Sequence, residues 1–206
     1  MALSDGIQWR LGADERTEPW LDEFARIFQL NKVSDEEVVD LTSPFFLFTE
    51  MSNHAAWMKI YYPDSSKQEC RNRWKLWPGQ SVKLWFHEKR PDAVCEIAWK
   101  NIEKPRYANM WEALHPIYKK SVIHGGLPFH AGLVEIEGKA YILSGPGDTG
   151  KSTCCRRIQA PWHPLCDDEV LVVLDSLGFY RAHPFPTWSD YMVRNTPNTW
   201  DVQYSI

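Results

Sequence analysis

The spacing of apolar residues along the chain predicts two helices. Between Thr17 and Leu30 apolar side chains recur every three or four positions, as on one face of an α-helix, and Thr17 is suited to cap the first turn. A second helix is predicted from about Tyr107 to Lys120. Because proline disrupts the interior of a helix, we expect a bend or a break at Pro116.

The first half of the chain also contains short segments that are rich in aromatic and β-branched residues. The segments 56–62, 82–86 and 94–99 are bounded by Pro, Gly or Asp and predict strands of an antiparallel sheet. Most of the eleven tryptophans lie in this half. Core packing is the usual role of such side chains, and a stacking surface for bases or sugars is the alternative.

A β-hairpin is predicted in the second half of the chain. The apolar runs 132–136 and 139–143 flank a Glu-Gly dipeptide, which suits a two-residue turn because glycine accepts positive φ. With that turn, the ladder register sets His130 opposite Gly145. A lone histidine is usually structural, but this register favours a functional role for His130.

Composition places the chain among folded proteins and narrows its partners. The 206 residues are 44% apolar and carry a formal net charge of -4, which argues against nucleic acid or an anionic membrane as a partner. No apolar run is long enough to span a membrane, and the five cysteines show neither zinc-site nor disulfide-framework spacing. We expect a cytoplasmic protein of two parts, 1–105 and 106–206.

One motif in the second part carries a chemical signature. Residues 145–152, Gly-Pro-Gly-Asp-Thr-Gly-Lys-Ser, fit the phosphate-loop pattern G-x-x-x-x-G-K-[ST], whose backbone amides wrap a phosphate. The apolar run 140–143 predicts a strand before the loop, and the segment 153–159 predicts a helix after it. Strand, loop and helix thus occur in the order that a nucleotide-binding loop requires.

The loop supplies the candidate nucleotide ligands. In a phosphate loop the lysine, here Lys151, bridges the β- and γ-phosphates, and the following hydroxyl, here Ser152, binds Mg2+. Thr153 is a further candidate, although helix packing is the usual role at its position. The candidate nucleotide-binding residues are Gly145, Pro146, Gly147, Asp148, Thr149, Gly150, Lys151, Ser152 and Thr153.

Three consecutive acidic residues, Asp167, Asp168 and Glu169, interrupt an apolar region after the loop. Carboxylates at a strand end near a phosphate loop can orient Mg2+ or accept a proton from an attacking hydroxyl. A solvated turn between two strands is the alternative.

The order and spacing of His130-Ala, the loop 145–152 and the pair Asp167-Asp168 resemble the catalytic segment of the HPr kinase/phosphorylase-like family. The resemblance covers roughly residues 121–186 and is closer to the short HPr-kinase-like proteins of peptide-maturation cassettes of the SynChlorMet type. It implies an α+β fold. For the second part it implies a phosphate-loop domain like that of phosphoenolpyruvate carboxykinase, with a mixed or antiparallel sheet. The tryptophan-rich α+β part that precedes this domain is predicted from its residues and does not resemble the N-terminal domain of the bacterial HPr kinases.

The resemblance also implies roles for individual residues. His130 takes the position of the active-site histidine, Lys151 that of the phosphate-loop lysine, and Ser152 that of the magnesium ligand. Asp168 takes the position of the catalytic base, and Asp167 would support the metal or the substrate. We therefore expect a kinase that uses ATP or GTP with Mg2+, phosphorylates a Ser of a small protein or precursor peptide, and self-associates.

Two departures from the family pattern leave alternatives open. The loop carries Asp148, a negative charge beside a polyphosphate, and no counterpart of the family's downstream magnesium-binding Glu occurs before Ile206. The chain could then be a nucleotide-binding partner of a peptide-modifying complex, without phosphotransfer of its own. It could also be a member that has lost nucleotide binding. The tryptophan-rich part could recognise a peptide by adding it to a sheet edge.

Overall fold

The computed structural model describes residues 1–28, 30–33, 43–51, 57–58, 73–103, 107–185 and 204–205. The chain forms two compact units. The first unit comprises residues 1, 8–25 and 32–116, and the second comprises residues 2–7, 26–31 and 117–206. Each unit contains one β-sheet.

The sheet of the first unit has five strands in the order β1-β2-β5-β4-β3. They are β1 (Arg10–Ala13), β2 (Phe45–Glu50), β3 (Trp74–Pro78), β4 (Val82–His87) and β5 (Ala93–Ile97). Strand β4 is antiparallel to both β3 and β5, whereas β2 is parallel to both β1 and β5. The predicted strands 82–86 and 94–99 correspond to β4 and β5 and are antiparallel to each other, as expected. The sequence analysis predicts no strand at β1 or β2 and therefore misses the parallel pairings of this sheet. Parallel neighbours depend on crossover connections, which the composition of single strands does not reveal.

The helices that the structure describes before residue 124 are α1 (Glu18–Ile27), α2 (Trp99–Glu103), α3 (Tyr107–Ala113) and α4 (His115–Ile123). Helix α1 begins directly after Thr17, as predicted. The predicted break in the second helix is confirmed, because α3 ends at Ala113 and Pro116 lies in the first turn of α4. The predicted strand 82–86 is part of β4, whereas most of the segment 56–62 lies outside the described residues.

Aromatic packing forms the core of the first unit. The rings of Trp20 and Phe24 on α1 lie 4.9 and 5.8 Å from the ring of Phe48 on β2. A second cluster consists of Leu47, Trp57, Met58, Trp74, Trp85 and Val94. Core packing is therefore confirmed for the tryptophans in these clusters, whereas Trp77 and Trp99 are exposed.

The second unit contains a six-stranded sheet in the order β7-β11-β10-β9-β6-β8, and β6 also pairs with β7. Its elements are β6 (Leu127–Ile136), β7 (Lys139–Ser144), α5 (Lys151–Arg157), β8 (His163–Cys166), β9 (Glu169–Leu174), β10 (Tyr180–Phe185) and β11 (Tyr204–Ser205). The β7-β11 pairing is parallel, and the other pairings are antiparallel.

The hairpin of β6 and β7 has the predicted register. Its pairs extend as far as Ala131 and Ser144. The turn residues Glu137 and Gly138 have φ angles of 52° and 76°, which match a two-residue turn with positive φ at both positions.

Strand β6 pairs with two strands, β9 and β8, at different positions along its length. Residues 127–130 pair with β9, and residues 133–135 pair with β8. Asp167 and Asp168 join β8 to β9 and therefore lie against the middle of β6, where the Ala131 amide donates to the Asp168 carbonyl at 2.8 Å. The apolar core of this sheet comprises Ala131, Leu133, Ala140, Cys166, Val170, Val172 and Ala182.

The fold class is α+β, as predicted, with two mixed sheets and few helices. Within the part of the chain that the structure describes, no helix has the length and apolar character needed to cross a membrane.

Candidate functional site around His130 and Asp168

The candidate site lies where the β6-β7 hairpin opens. Strand β7 ends at Ser144, immediately before the glycine-rich loop of residues 145–150, and Ala131 is the ladder partner of Ser144. The ladder ends at this pair, and His130 and Gly145 are the next residues on the two strands, so their predicted pairing lies one position beyond the last observed pair. The hairpin thus positions a histidine at the start of the loop.

Asp168 reaches the same place from the turn between β8 and β9. Its Oδ1 atom lies 3.1 Å from Nδ1 of His130. The Asp168 side chain is 14% exposed and the His130 side chain is 59% exposed. The imidazole is therefore accessible from solvent, while its Nδ1 atom is held by a largely buried carboxylate.

Burial raises the pKa of the Asp168 carboxyl above its ordinary value. The charge of His130 lowers this pKa, the neighbouring Asp167 raises it, and Lys151 lowers it. The net shift is upward, so Asp168 is more basic than an exposed aspartate.

The glycine-rich loop is tightly turned and open on one side. Its backbone is left-handed at Asp148 and Gly150, with φ angles of 62° and 91°. The Lys151 Nζ atom donates to two carbonyl oxygens at the start of the loop, at 3.0 and 3.1 Å. A Cβ atom added at Gly147 or Gly150 would meet no other atom within 4 Å, so the space beside these glycines is open.

Helix α5 packs closely on β6 because Gly132 has no side chain. A Cβ atom at Gly132 would come within 2.5 Å of the Cys155 sulfur. The Cys155 thiol in turn donates to the carbonyl of Cys166 on β8, at 3.5 Å. These contacts fix the helix that follows the loop against the strands that lead to His130 and Asp168. Glycine inside a strand is a signal of such close approach, so Gly132 could have been identified from the sequence.

The remaining predicted residues lie at the start of α5 and in the acidic turn. Ser152 and Thr153 are in the first turn of α5, where Ser152 is half-buried and Thr153 is exposed. Asp167 is buried. Burial raises the pKa of the Cys155 thiol to about 12, and the charge of Asp167 contributes to this rise. Asp167 therefore lies close to the thiol of α5.

Glu169 is a further member of the cluster. It is 9% exposed and is the ladder partner of His130. One donor atom from each of His130, Asp168 and Glu169 lies within 4.8 Å of the other two. Burial raises the pKa of the Tyr118 hydroxyl, and the charge of Glu169 is the next cause, which places Tyr118 of α4 nearby. Sequence patterning marks Glu169 only as the third acid of its segment and gives no signal for Tyr118.

The structure gives no contact between the other described histidines of this unit and the cluster of His130, Asp168 and Glu169. His183 on β10 is buried, and its Nε2 atom accepts a hydrogen bond from the Ser4 amide at 3.2 Å. Burial lowers the pKa of His183 to about 4. His183 is therefore a neutral packing residue, whereas His124 and His163 are exposed.

The fold and the cluster define an α+β protein in which a histidine and two carboxylates meet beside a glycine-rich loop. A family model described as the SynChlorMet cassette protein ScmC matches residues 93–206, which is more than half of the chain. The chain therefore belongs to the ScmC family, and the match includes the whole candidate site. Searches of the curated proteins and of the solved structures find no match to this chain.

Proposed function

We propose that this chain is a kinase that transfers the γ-phosphoryl group of ATP or GTP to a Ser hydroxyl of a small protein or precursor peptide. The observation that supports this most strongly is the contact between His130 and Asp168 beside the glycine-rich loop, over which the Lys151 ammonium group lies. These residues come from separate segments of the chain. The resemblance of the same set to HPr kinase/phosphorylase-like proteins supports phosphoryl transfer as the reaction.

The residues of the loop fit the phosphates of a nucleotide. The open space beside Gly147 and Gly150 leaves room for phosphate oxygens close to the backbone. The Lys151 ammonium already lies over the loop, bonded to loop carbonyls. Ser152 and Asp167 would hold Mg2+, which supplies charge neutralisation for the transferred group when bound. The exposed Asp148 carboxylate adds a repulsive charge and would lower the affinity for nucleotide.

Asp168 would act as the general base. As the Ser oxygen forms its bond to the γ-phosphorus and the bond from that phosphorus to the β-phosphate oxygen breaks, Asp168 takes the hydroxyl proton. The upward shift of its pKa makes it a stronger base than an ordinary aspartate. His130 holds this carboxylate through Nδ1 and has its other ring nitrogen free to contact a phosphate oxygen, and Lys151 offsets negative charge.

Membership of a cassette family supports an acceptor that belongs to the same cassette, such as a precursor peptide. The net charge of -4 gives no reason to include nucleic acid or a membrane among the partners. We place the protein in the cytoplasm, and we propose self-association because the resemblance implies it.

The test is transfer of label from γ-labelled ATP, with Mg2+, to Ser-containing candidate peptides. We expect Asp168→Asn to lower the transfer rate by about 10²–10⁴-fold, because a positioned base contributes about that much. Binding of a fluorescent ATP analogue should change by less than about threefold. Asp22→Asn, at an exposed position of α1, is the matched control and should leave both quantities unchanged.

A second pair of variants tests the loop. Lys151→Met should weaken nucleotide binding as well as transfer, whereas Lys139→Met, on the exposed start of β7, should do neither. Full transfer by Asp168→Asn would exclude Asp168 as the general base, and absence of transfer from the unmodified chain to every candidate peptide would contradict the kinase. Nucleotide binding without transfer to any acceptor would favour the alternative, a nucleotide-binding partner of a peptide-modifying complex.

A further inference from the structure

We propose that the outer edge of strand β3 binds an acidic peptide segment as an added β-strand. In the strand order β1-β2-β5-β4-β3, strand β3 (Trp74–Pro78) lies at the end of the sheet of the first unit. Within the described residues, no strand pairs with its outer side. The inference goes beyond the proposed function, because this surface belongs to the first unit and binding requires neither nucleotide nor phosphoryl transfer.

The ladder between β3 and β4 determines which backbone groups face outward. The Glu88 amide donates to the Arg73 carbonyl at 2.9 Å, so these two residues form a hydrogen-bonded pair of the antiparallel ladder. Hydrogen-bonded pairs recur at every second residue, which makes Lys75 and Trp77 the residues that bond to β4. The amide and the carbonyl of Leu76 therefore point away from β4, toward the outer side of the sheet.

Pro78 occupies the next outward-facing position of β3, and it has a carbonyl but no amide hydrogen. Within a sheet, proline is confined to positions where no ladder bond is lost, so its place here fits an edge strand. Leu76 offers a donor and an acceptor to an added strand, and Pro78 offers an acceptor. A peptide that pairs with this edge can therefore bond to the backbone of both residues.

Apolar side chains flank these backbone groups on both faces of the sheet. Leu76 is 44% exposed and stands on the same face as Trp85, its ladder partner. Trp77 is 37% exposed and stands on the opposite face, where its ring stacks on the ring of His115 with centroids 4.5 Å apart. This stacking holds the indole in place, so little side-chain freedom is lost when a peptide packs beside it. Side chains of an added strand would cover Leu76 on one face and Trp77 on the other.

The charge of the β3-β4 hairpin, residues 73–90, selects an acidic partner. The hairpin has five basic side chains and one acidic side chain, a formal charge of +4 in a chain whose net charge is -4. The basic residues are Arg73, Lys75, Lys83, Lys89 and Arg90. Lys75 forms an ion pair with Glu88 at 3.3 Å, and the two side chains are 78% and 39% exposed. An ion pair so exposed contributes little, so a carboxylate of a peptide can compete for Lys75.

The same charges disfavour a second copy of this chain as the added strand. Two β3 strands side by side would bring Arg73 and Lys75 of each copy close to those of the other, and like charges on paired strands are destabilising. Lysines on edge strands commonly prevent such self-pairing. An acidic strand meets no such repulsion, and its attraction to the hairpin weakens as salt screens the charges.

The experiment titrates the full chain, without nucleotide, with two fluorescein-labelled peptides and follows their fluorescence anisotropy. Both peptides have Val or Thr at every second position, and the remaining positions are Glu in one peptide and Lys in the other. We expect the Glu peptide to bind at least about 10-fold more tightly than the Lys peptide at low salt. Lys75→Glu should weaken binding of the Glu peptide at least about 3-fold, whereas Lys139→Glu, on the exposed start of β7, should change it by less than about 1.5-fold.

Hydrogen exchange of single amides, measured by NMR, shows whether the peptide binds by strand addition. The Leu76 amide points outward, so bound Glu peptide should slow its exchange at least about 10-fold. The amides of Lys75 and Trp77 already bond to β4, and their exchange should change less.

Two substitutions at Leu76 separate the backbone from the side chain. Leu76→Pro removes the outward donor without removing a bond to β4, and should weaken binding of the Glu peptide at least about 10-fold. Leu76→Ala retains the amide and should weaken binding by less than about 3-fold. Circular dichroism and thermal unfolding show which variants retain the fold. If Leu76→Pro does not fold, the exchange of the Leu76 amide in the parent chain decides.

Binding of the Glu peptide without slower exchange at Leu76, or full binding by folded Leu76→Pro, would overturn the assignment. Equal affinity for the two peptides, or no binding of either, would overturn it too. A dimer of the free chain that Leu76→Pro dissociates in sedimentation would show that the edge pairs with a second copy instead. Absence of phosphoryl transfer to every peptide would refute the kinase and leave this surface standing, because the titration contains no nucleotide.

Discussion

Two partly buried aspartates, one in each unit, have opposite pKa shifts. Burial alone would raise the pKa of Asp14 in the first unit. Hydrogen bonds from Thr49, Thr17 and Glu50 outweigh burial, so the pKa of Asp14 is lowered. At Asp168 in the second unit burial prevails, and the pKa is raised. A carboxylate that is surrounded by donors stabilises the fold, whereas one that faces an imidazole and other acids is suited to chemistry.

Two buried glutamates show the same contrast. Glu112 accepts the amides of three consecutive residues, Gln80, Ser81 and Val82, at 3.0, 2.8 and 3.2 Å, and so fixes the turn before β4. Glu169 instead shares its surroundings with His130 and Asp168. In the first unit Asp14 and Glu112 thus stabilise local backbone structure. In the second unit Asp168 and Glu169 lie close to each other and to a histidine.

Acid should destabilise the second unit more than the first. The largest effect on stability is expected from His183. Its pKa falls from 6.5 to about 4 on folding, so the folded state resists protonation. The stability that this supplies is fully present above pH 6.5 and is lost as the pH falls toward 4, up to about 3 kcal/mol at about 1.4 kcal/mol per pKa unit. Asp168 acts in the opposite direction, because its raised pKa favours the folded state at low pH.

We therefore expect β9 and β10 to lose protection against hydrogen exchange between pH 6.5 and 4, after correction for the intrinsic rate. The first unit should lose less protection in this range. Burial lowers the pKa of His87 and His115 there as well, but both are only half-buried, whereas His183 is buried. The lowered pKa of Asp14 preserves its contribution until the pH falls below the ordinary value of 3.8. His183→Gln should flatten the dependence in β9 and β10, and His163→Gln should not. Equal loss of protection in both units would remove the contrast.

Exchange of each aspartate for asparagine tests the comparison directly. Asp14→Asn should lower the free energy of unfolding by about 2 kcal/mol, because an amide cannot accept all the hydrogen bonds that the carboxylate accepts. Asp168→Asn should change it by less than about 0.5 kcal/mol or raise it, because burial already disfavours the charged form. Urea unfolding at pH 7, followed by circular dichroism, measures both. Similar losses in the two variants would show that the acids have the same structural role.

The sequence predicts the features that depend on near neighbours. The hairpin register follows from a two-residue turn, and the break between α3 and α4 follows from Pro116. The position of His130 beside the glycine-rich loop follows from the same register. The chemical roles of Lys151 and Asp168 stay predictions, because geometry alone does not show a reaction.

Features that join distant segments could not be predicted in this way. The parallel placement of β2 depends on crossover connections. The position of Glu169 beside His130 depends on the pairing of β6 with β9, and the position of Tyr118 depends on the packing of α4. No short-range pattern encodes these contacts, because each is set by the burial of whole strands and helices. The sequence therefore predicts the loop and the histidine of the site, but it does not predict that Glu169 lies beside them.

The smallest effect is expected where the second unit depends on close packing. Gly132→Ala places a methyl group about where the Cys155 sulfur lies, within 2.5 Å, and should cost about 1–2 kcal/mol in urea unfolding. Adding Cys155→Ala should restore most of the loss, because it removes the clashing atom. Gly147→Ala, where an added Cβ meets no atom within 4 Å, is the matched stability control and should cost much less. If Cys155→Ala fails to rescue Gly132→Ala, the contact does not fix α5 on β6. The loop would then owe its position beside His130 to the hairpin alone.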